Sequence, residues 1–171
     1  IPARMDLQTN GTLLTEETAT FLRSAHIGIG VSLDGRPAVH DALRCYPDGS
    51  GTAADVVAGI RRLAQCGMEI GLTTVVTADN VADLSGVVEM AYYLGNVRRV
   101  GFDLLRPQGR GSAVRRARAE DMAQAMEAVF ALNRKLGRMT GRTMAITQME
   151  QAACLAQRTG GGFSHCHAMN G

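Results

Sequence analysis

Ile27-Gly-Ile-Gly-Val-Ser-Leu-Asp-Gly35 alternates without a break. As a strand it sends Ile27, Ile29, Val31 and Leu33 to one face and Gly28, Gly30, Ser32 and Asp34 to the other. The first face packs on a helix. The second is bare at its start and offers a hydroxyl and a carboxylate at its carboxyl end, where parallel α/β folds bind ligands. The two glycines leave room for a group to lie against the backbone.

The same organisation extends outward. Upstream, Ala3 to Gly11 alternates and ends in a turn, and Thr15 N-caps a helix to about Ala25 whose buried stripe is Phe21, Leu22 and Ala25. Downstream, Arg36 to Gly51 reads as a long polar connection, and Thr52 with Asp55 resembles a capping box. The helix it opens buries Val56, Val57, Ile60, Leu63 and Ala64 and stops at Gly67. Met68–Thr77 is a third strand, followed by a helix over Ala82–Leu94. Arg98–Arg106 is a fourth, with Val100, Phe102 and Leu104 opposite Gly101, Asp103 and Leu105. A helix over Ala119–Leu136 follows; Thr147-Gln-Met-Glu150 opens another, Gly160-Gly-Gly162 interrupts the chain, and Ser164–Gly171 starts a further unit.

Repeated βα units predict a parallel sheet with right-handed crossovers. Strands covered on both faces would be continuously apolar; these have one aliphatic face and one small or polar face. The pattern predicts a curved sheet with helices outside and a ligand-facing concave side, an incomplete parallel (β/α) barrel rather than a flat sheet. Residues 1–137 form the barrel portion and 138–171 a helical link to the next region.

Of the 171 residues, 46% are hydrophobic, as in globular chains, and the net charge of +2 gives no case for nucleic acid. No apolar run reaches the roughly 18 residues of a membrane span, and no signal peptide is visible. Cys45, Cys66, Cys154 and Cys166 contain no Cys-x2-Cys pair and suit a reducing, cytoplasmic compartment. The chain begins with Ile and reads as a piece of a longer protein.

Three linked motifs, Gln8-Thr-Asn-Gly-Thr-Leu-Leu-Thr15, Val31-Ser-Leu-Asp-Gly35 and His40-Asp41-x-x-Arg44, resemble the radical S-adenosylmethionine enzymes. Leu63–Asn80 and Arg106–Gly111 fit the same pattern. More narrowly, they resemble the peptide- and protein-modifying branch that includes the anaerobic sulfatase maturases and carries a SPASM extension. The resemblance implies strands three to six of a six-stranded partial barrel. The implied activity is hydrogen abstraction from a peptide or protein side chain by a 5′-deoxyadenosyl radical, made from S-adenosylmethionine (AdoMet) at a four-iron four-sulfur cluster.

By the resemblance, Ser32 contacts AdoMet and Arg44 its carboxylate. Without it, Ser32 equally suits a hydroxyl bonding its own turn, and Arg44 a solvated loop cation. Asp34 orients its loop or meets substrate; the first role fits its Asp-Gly setting better. Gln8 can reach the cavity, Asn10 is mainly a turn residue, and Thr77 faces the cavity. Asp103 is either a paired core charge or a substrate contact. Leu105 is the adenine-side candidate, and no residue is assigned as catalytic. The arginines at 106, 110, 115, 116 and 118 read as a solvated face, or as a dock for an anionic peptide.

The family's Cys-x3-Cys-x2-Cys loop is missing from this sequence and is expected upstream of Ala3. Without it the chain is expected to lack the radical cluster and to be inactive alone. Cys166 matches the position where auxiliary cluster ligands begin, in the longer protein only. Two other functions stay open: a non-catalytic peptide-binding module, and a barrel enzyme holding a phosphate ester on Gly109-Arg-Gly111. The exposed edges of an unclosed barrel also predict self-association.

Overall fold

Thr15 acts as its position predicts: its Oγ1 accepts from the Thr18 N–H at 3.1 Å and opens helix α1, Glu16–Ser24. It does so in a computed structural model that describes residues 5–106 and 108–151. Cys154, Gly160-Gly-Gly162, Ser164–Gly171 and the auxiliary-cluster candidate Cys166 lie outside the described residues, as does Pro107.

The strands are β1 (Asp6–Thr9), β2 (Gly28–Ser32), β3 (Ile70–Val76), β4 (Val97–Leu104) and β5 (Ala145–Ile146). All neighbours pair in parallel, and the order across the sheet is the order along the chain. A doubly wound sheet would reverse direction once; this one does not. Besides α1, the longer helices are α2 (Pro37–Leu43), α3 (Ala53–Gln65), α4 (Leu84–Leu94) and α5 (Ala119–Thr140). Contacts of α1 with α3, α3 with α4, and α4 with α5 lay them side by side. The result is an arc of barrel.

Its core is a row of aliphatic residues in register. Val31 opposes Leu72, Leu72 opposes Val100, and Val100 opposes Ile146, and all four are buried. Each faces the helices, joined by Ile60, Leu63, Val87, Val88 and Ala91. Burying an aliphatic side chain of this size is worth about 1.5–3 kcal/mol, so the helix-facing side carries the stability. The concave side stays available for polar groups.

Five expectations need correction. Phe21 is 62% exposed, because α1 turns Ala19 and Leu22 inward and Phe21 falls on its uncovered side. The connection after Gly35 contains α2: Pro37 sits in its first turn, where the missing N–H costs nothing. Thr52 is no capping box; it has helical dihedrals and no cap bond, and Asp41 Oδ1 instead accepts from the Ala53 N–H at 2.7 Å. Leu104 and Asp103 are both exposed at the open end of β4, so Asp103 is not a core charge. A fifth strand exists because Ala145–Ile146, too short for periodicity to reveal, pairs with Arg99–Val100. Meanwhile α5 continues through residue 137 to a left-handed Gly141. Among the described residues no helix is long and apolar enough to cross a membrane.

One close approach fixes where α3 crosses the β1–α1 turn. A Cβ on Gly59 would collide with the Gly11 carbonyl oxygen, and Gly11 itself has φ +79°. Gly59→Ala is therefore expected to destabilise the protein by about 1–3 kcal/mol, since overpacking against backbone outweighs a helix-propensity gain of about 1 kcal/mol. Urea denaturation at constant m-value checks this; a higher midpoint would remove the contact from the account.

Candidate functional site

At the carboxyl ends of β2 and β3 a set of buried polar side chains is wired together. Asp34, 4% exposed, accepts from the Val75 N–H at 2.9 Å through Oδ1 and from Arg44 Nε at 2.5 Å through Oδ2. His40 is fully buried. Its Nδ1 accepts from the Asp34 N–H at 3.1 Å, which leaves the ring proton on Nε2, 3.1 Å from Thr52 Oγ1. Thr52 Oγ1 donates to the Arg44 carbonyl at 2.9 Å. Asn80 closes the set by donating to the carbonyls of Asp34 (3.1 Å) and Val75 (2.9 Å) and accepting from the Thr77 N–H. Burial, opposed by the neighbouring Asp34 carboxylate, holds the His40 imidazole below its ordinary pKa.

The His40-Asp41-x-x-Arg44 motif thus has a local role at every fixed position. His40 ties β2 to α3, Asp41 caps α3, and Arg44 neutralises Asp34. Arg36 secures the other flank through ion pairs with Asp83 and with Glu89 at 2.8 Å. His40, Asp41 and Asn80 were not among the sequence candidates. Pro37 was the available signal that residues 37–43 form a helix able to bury one of them.

Above this set lies a cleft of about 520 Å³ that brings together Asn10, Asp34, Arg44, Thr77 and Leu105. Leu43, Tyr46, Pro47 and Val114 make its apolar wall, and Tyr46 donates to Asp55 at 2.9 Å. Asn10 is a turn residue, accepting from the Thr12 N–H, and the Thr77 hydroxyl is engaged with Asn80 and Asp79. Arg44 is not a free loop cation. Its Nε is committed to Asp34, and its terminal nitrogens have no partner among the described residues. The cleft thus sets a guanidinium and a carboxylate beside an apolar wall.

The concave face is a second space of about 770 Å³, lined by Gln8, Gly30, Gly71, Thr73, Gly101 and Asp103 among others. Its bareness over β2 is partly filled. Asp6 and Gln8 lie across Gly28 and Gly30, where an added Cβ would collide with their side chains. Gln8 Nε2 donates to Ser32 Oγ at 3.3 Å, and Gln8 Oε1 accepts from Thr73 Oγ1 at 3.4 Å. Over β3 the face is open, for a Cβ at Gly71 would meet only the Arg99 carbonyl at 3.9 Å. No group of three His, Cys, Asp or Glu side chains able to hold a metal lies among the described residues.

Removing Asp34 takes the acceptor from the Val75 N–H and from Arg44 Nε. Because the Arg44 side chain is 33% exposed, Asp34→Ala is expected to cost about 1–3 kcal/mol, mainly from the orphaned Val75 N–H, read as a shift in urea midpoint. An unchanged midpoint would mean that these bonds add no stability.

No family model matches this sequence. An AdoMet-dependent heme synthase of Methanosarcina barkeri is 37% identical over 110 residues, 63% of this chain and 30% of that protein. A serine-type anaerobic sulfatase-maturating enzyme of Bacteroides thetaiotaomicron is 39% identical over 74 residues, 43% of this chain and 18% of that one. An uncharacterised protein of Methanocaldococcus jannaschii is 35% identical over 102 residues, 60% and 35% of the two chains. The chain spans about a third or less of the length of these curated relatives. In fold it matches native anSMEcpe with bound AdoMet and Cp18Cys peptide at TM-score 0.78 and 22% identity, over 95% of this chain and 45% of that one. The chain is therefore similar in sequence to part of the AdoMet-dependent heme synthases and anaerobic sulfatase-maturating enzymes, and it shares its fold with part of an AdoMet-bound anSMEcpe.

Proposed function

We propose that this chain supplies the AdoMet-binding side of an enzyme that modifies a peptide or protein side chain by radical hydrogen abstraction. The observation that carries the proposal is the cleft: Asp34, Arg44 and Leu105 meet at the carboxyl end of a barrel arc whose relatives are named for AdoMet. Bound beside a reduced iron–sulfur cluster, AdoMet would supply the radical. This chain's residues bind, orient and exclude water. The terminal nitrogens of Arg44 take the carboxylate and Leu105 covers the adenine; Ser32, which does not line the cleft and holds Gln8, reaches the ribose only by exchanging that bond. Gln8, Thr73 and Asp103 line the concave face that receives substrate. A peptide suits that face because two of the structural relatives hold AdoMet with a peptide.

A second reading concerns substrate alone. The heme-synthase matches cover 63–65% of this chain and the maturase matches 41–43%. That favours testing a haem precursor beside peptides. A module that binds peptide without chemistry would take up AdoMet without consuming it. Phosphate-ester binding at Gly109-Arg-Gly111 has less support, since these residues form a single 3-10 turn.

The test uses the full-length protein, reconstituted anaerobically with iron and sulfide and given AdoMet and dithionite. 5′-Deoxyadenosine is the expected product, and its absence from a cluster-loaded sample would refute the enzyme reading. The β1 edge, with Met5 and Leu7 exposed, is the surface through which copies of this chain would associate. Sedimentation velocity checks that, and a monomer at every concentration excludes it.

A further inference from the structure

We infer that His40 is a positioning residue of the AdoMet cleft, holding Arg44 and the end of β2 in their binding arrangement only while its imidazole is neutral. The inference rests on the AdoMet reading of the cleft. His40 is fully buried in a short helix and uses both ring nitrogens within the protein. The hydrogen bonds run in one direction, from the Asp34 N–H to Nδ1, from Nε2–H to Thr52 Oγ1, and from the Thr52 hydroxyl to the Arg44 carbonyl.

Arg44 is thereby held at three points. Its N–H donates to the His40 carbonyl at 2.7 Å, its carbonyl accepts from Thr52, and its Nε donates to Asp34. Only the distal part of the guanidinium, on a side chain 33% exposed, is left at the cleft wall. A guanidinium fixed this way gives up little freedom when a carboxylate arrives. If the hydroxyl of Thr52 were removed, the Arg44 carbonyl and His40 Nε2 would each lose a partner.

The chain of bonds tolerates one protonation state. An imidazolium carries hydrogen on Nδ1 as well, and that hydrogen would point at the Asp34 N–H, donor against donor. The charged groups around the ring are Asp34 after β2, and Asp41 and Arg44 on and after α2; α3 presents the neutral Thr52. Because burial lowers the folded-state pKa, the neutral form and its share of stability are fully present above about 6.5. They are lost as pH falls through the lower folded value.

The experiment measures AdoMet dissociation constants by calorimetry on the reconstituted full-length protein between pH 5.5 and 8, for wild type, Thr52→Val, His40→Phe and His40→Gln. At pH 7.5, Thr52→Val and His40→Phe are expected to bind about tenfold more weakly. Wild-type affinity is expected to fall only as pH drops through the folded-state pKa of His40, which lies below 6.5, in step with protonation of His40 followed by its ring NMR signals. His40→Gln, which can accept and donate but does not titrate, should recover part of the affinity and lose that pH dependence. Unchanged wild-type affinity across the pH range in which the ring signals show His40 protonating, the same profile in His40→Gln, or unchanged affinity in Thr52→Val and His40→Phe overturns the inference. Should a variant fail to fold, the wild-type coincidence of ring protonation with lost affinity still decides. A wild-type protein that binds no AdoMet at any pH instead refutes the reading on which the inference rests.

Discussion

A carboxylate buried to 4% exposure must be paired, and the structure around the candidate site follows from how Asp34 is paired. Its two oxygens join β2 to the backbone of β3 and to the residue that ends α2. An apolar pair would join these elements too, but without direction. A carboxylate fixes register and orientation because each oxygen takes its own donor. Among the described residues, six of the seven buried polar side chains lie around this point; Asn133 is the exception. The helix-facing side is almost wholly aliphatic. Stability and geometry are thus set by different parts of the sheet: burial supplies the first, and this polar set supplies the second.

The periodicity of the strands was enough to give the barrel arc, because one aliphatic face beside one small or polar face has few other solutions. Ile29, Val31, Leu33, Leu72 and Val100 are all buried as alternation predicts. What it did not give was α2, whose seven residues hold a single fully buried side chain, and that one polar. Nor could it give β5, which is two residues long. Phe21 shows a different limit: hydrophobicity marks what a residue would prefer, whereas its exposure depends on whether a neighbour covers that side of α1.

The site was legible as a set of positions and less so as a set of bonds. Asn10, Asp34, Arg44, Thr77 and Leu105 do converge on one cleft, as strand ends in a parallel sheet must. Their partners were not legible. The pairing of Arg44 with Asp34 crosses ten residues, and that of Asp34 with Val75 crosses 41. Only the folded register brings those groups together. Within the His40-Asp41-x-x-Arg44 motif only Arg44 carries an expected ligand contact, and most of the motif's bonds are internal.

That internal use bears on recognition. An arginine free in a loop would have to be ordered by each ligand that it binds, and lost side-chain freedom would weaken every complex by about 0.5–1.5 kcal/mol. Holding Arg44 through Asp34 moves that cost into folding. The concave face works the other way. Gln8 reaches Ser32 and Thr73 only at 3.3 and 3.4 Å, distances at the long end for hydrogen bonds, so a ligand hydroxyl can replace it with little loss. Gly71 beside it leaves backbone open to close approach, whereas Thr147 lies against Gly101. The fold therefore pairs a cleft whose arginine is held from within by Asp34 with a concave face whose polar lining is held by longer bonds.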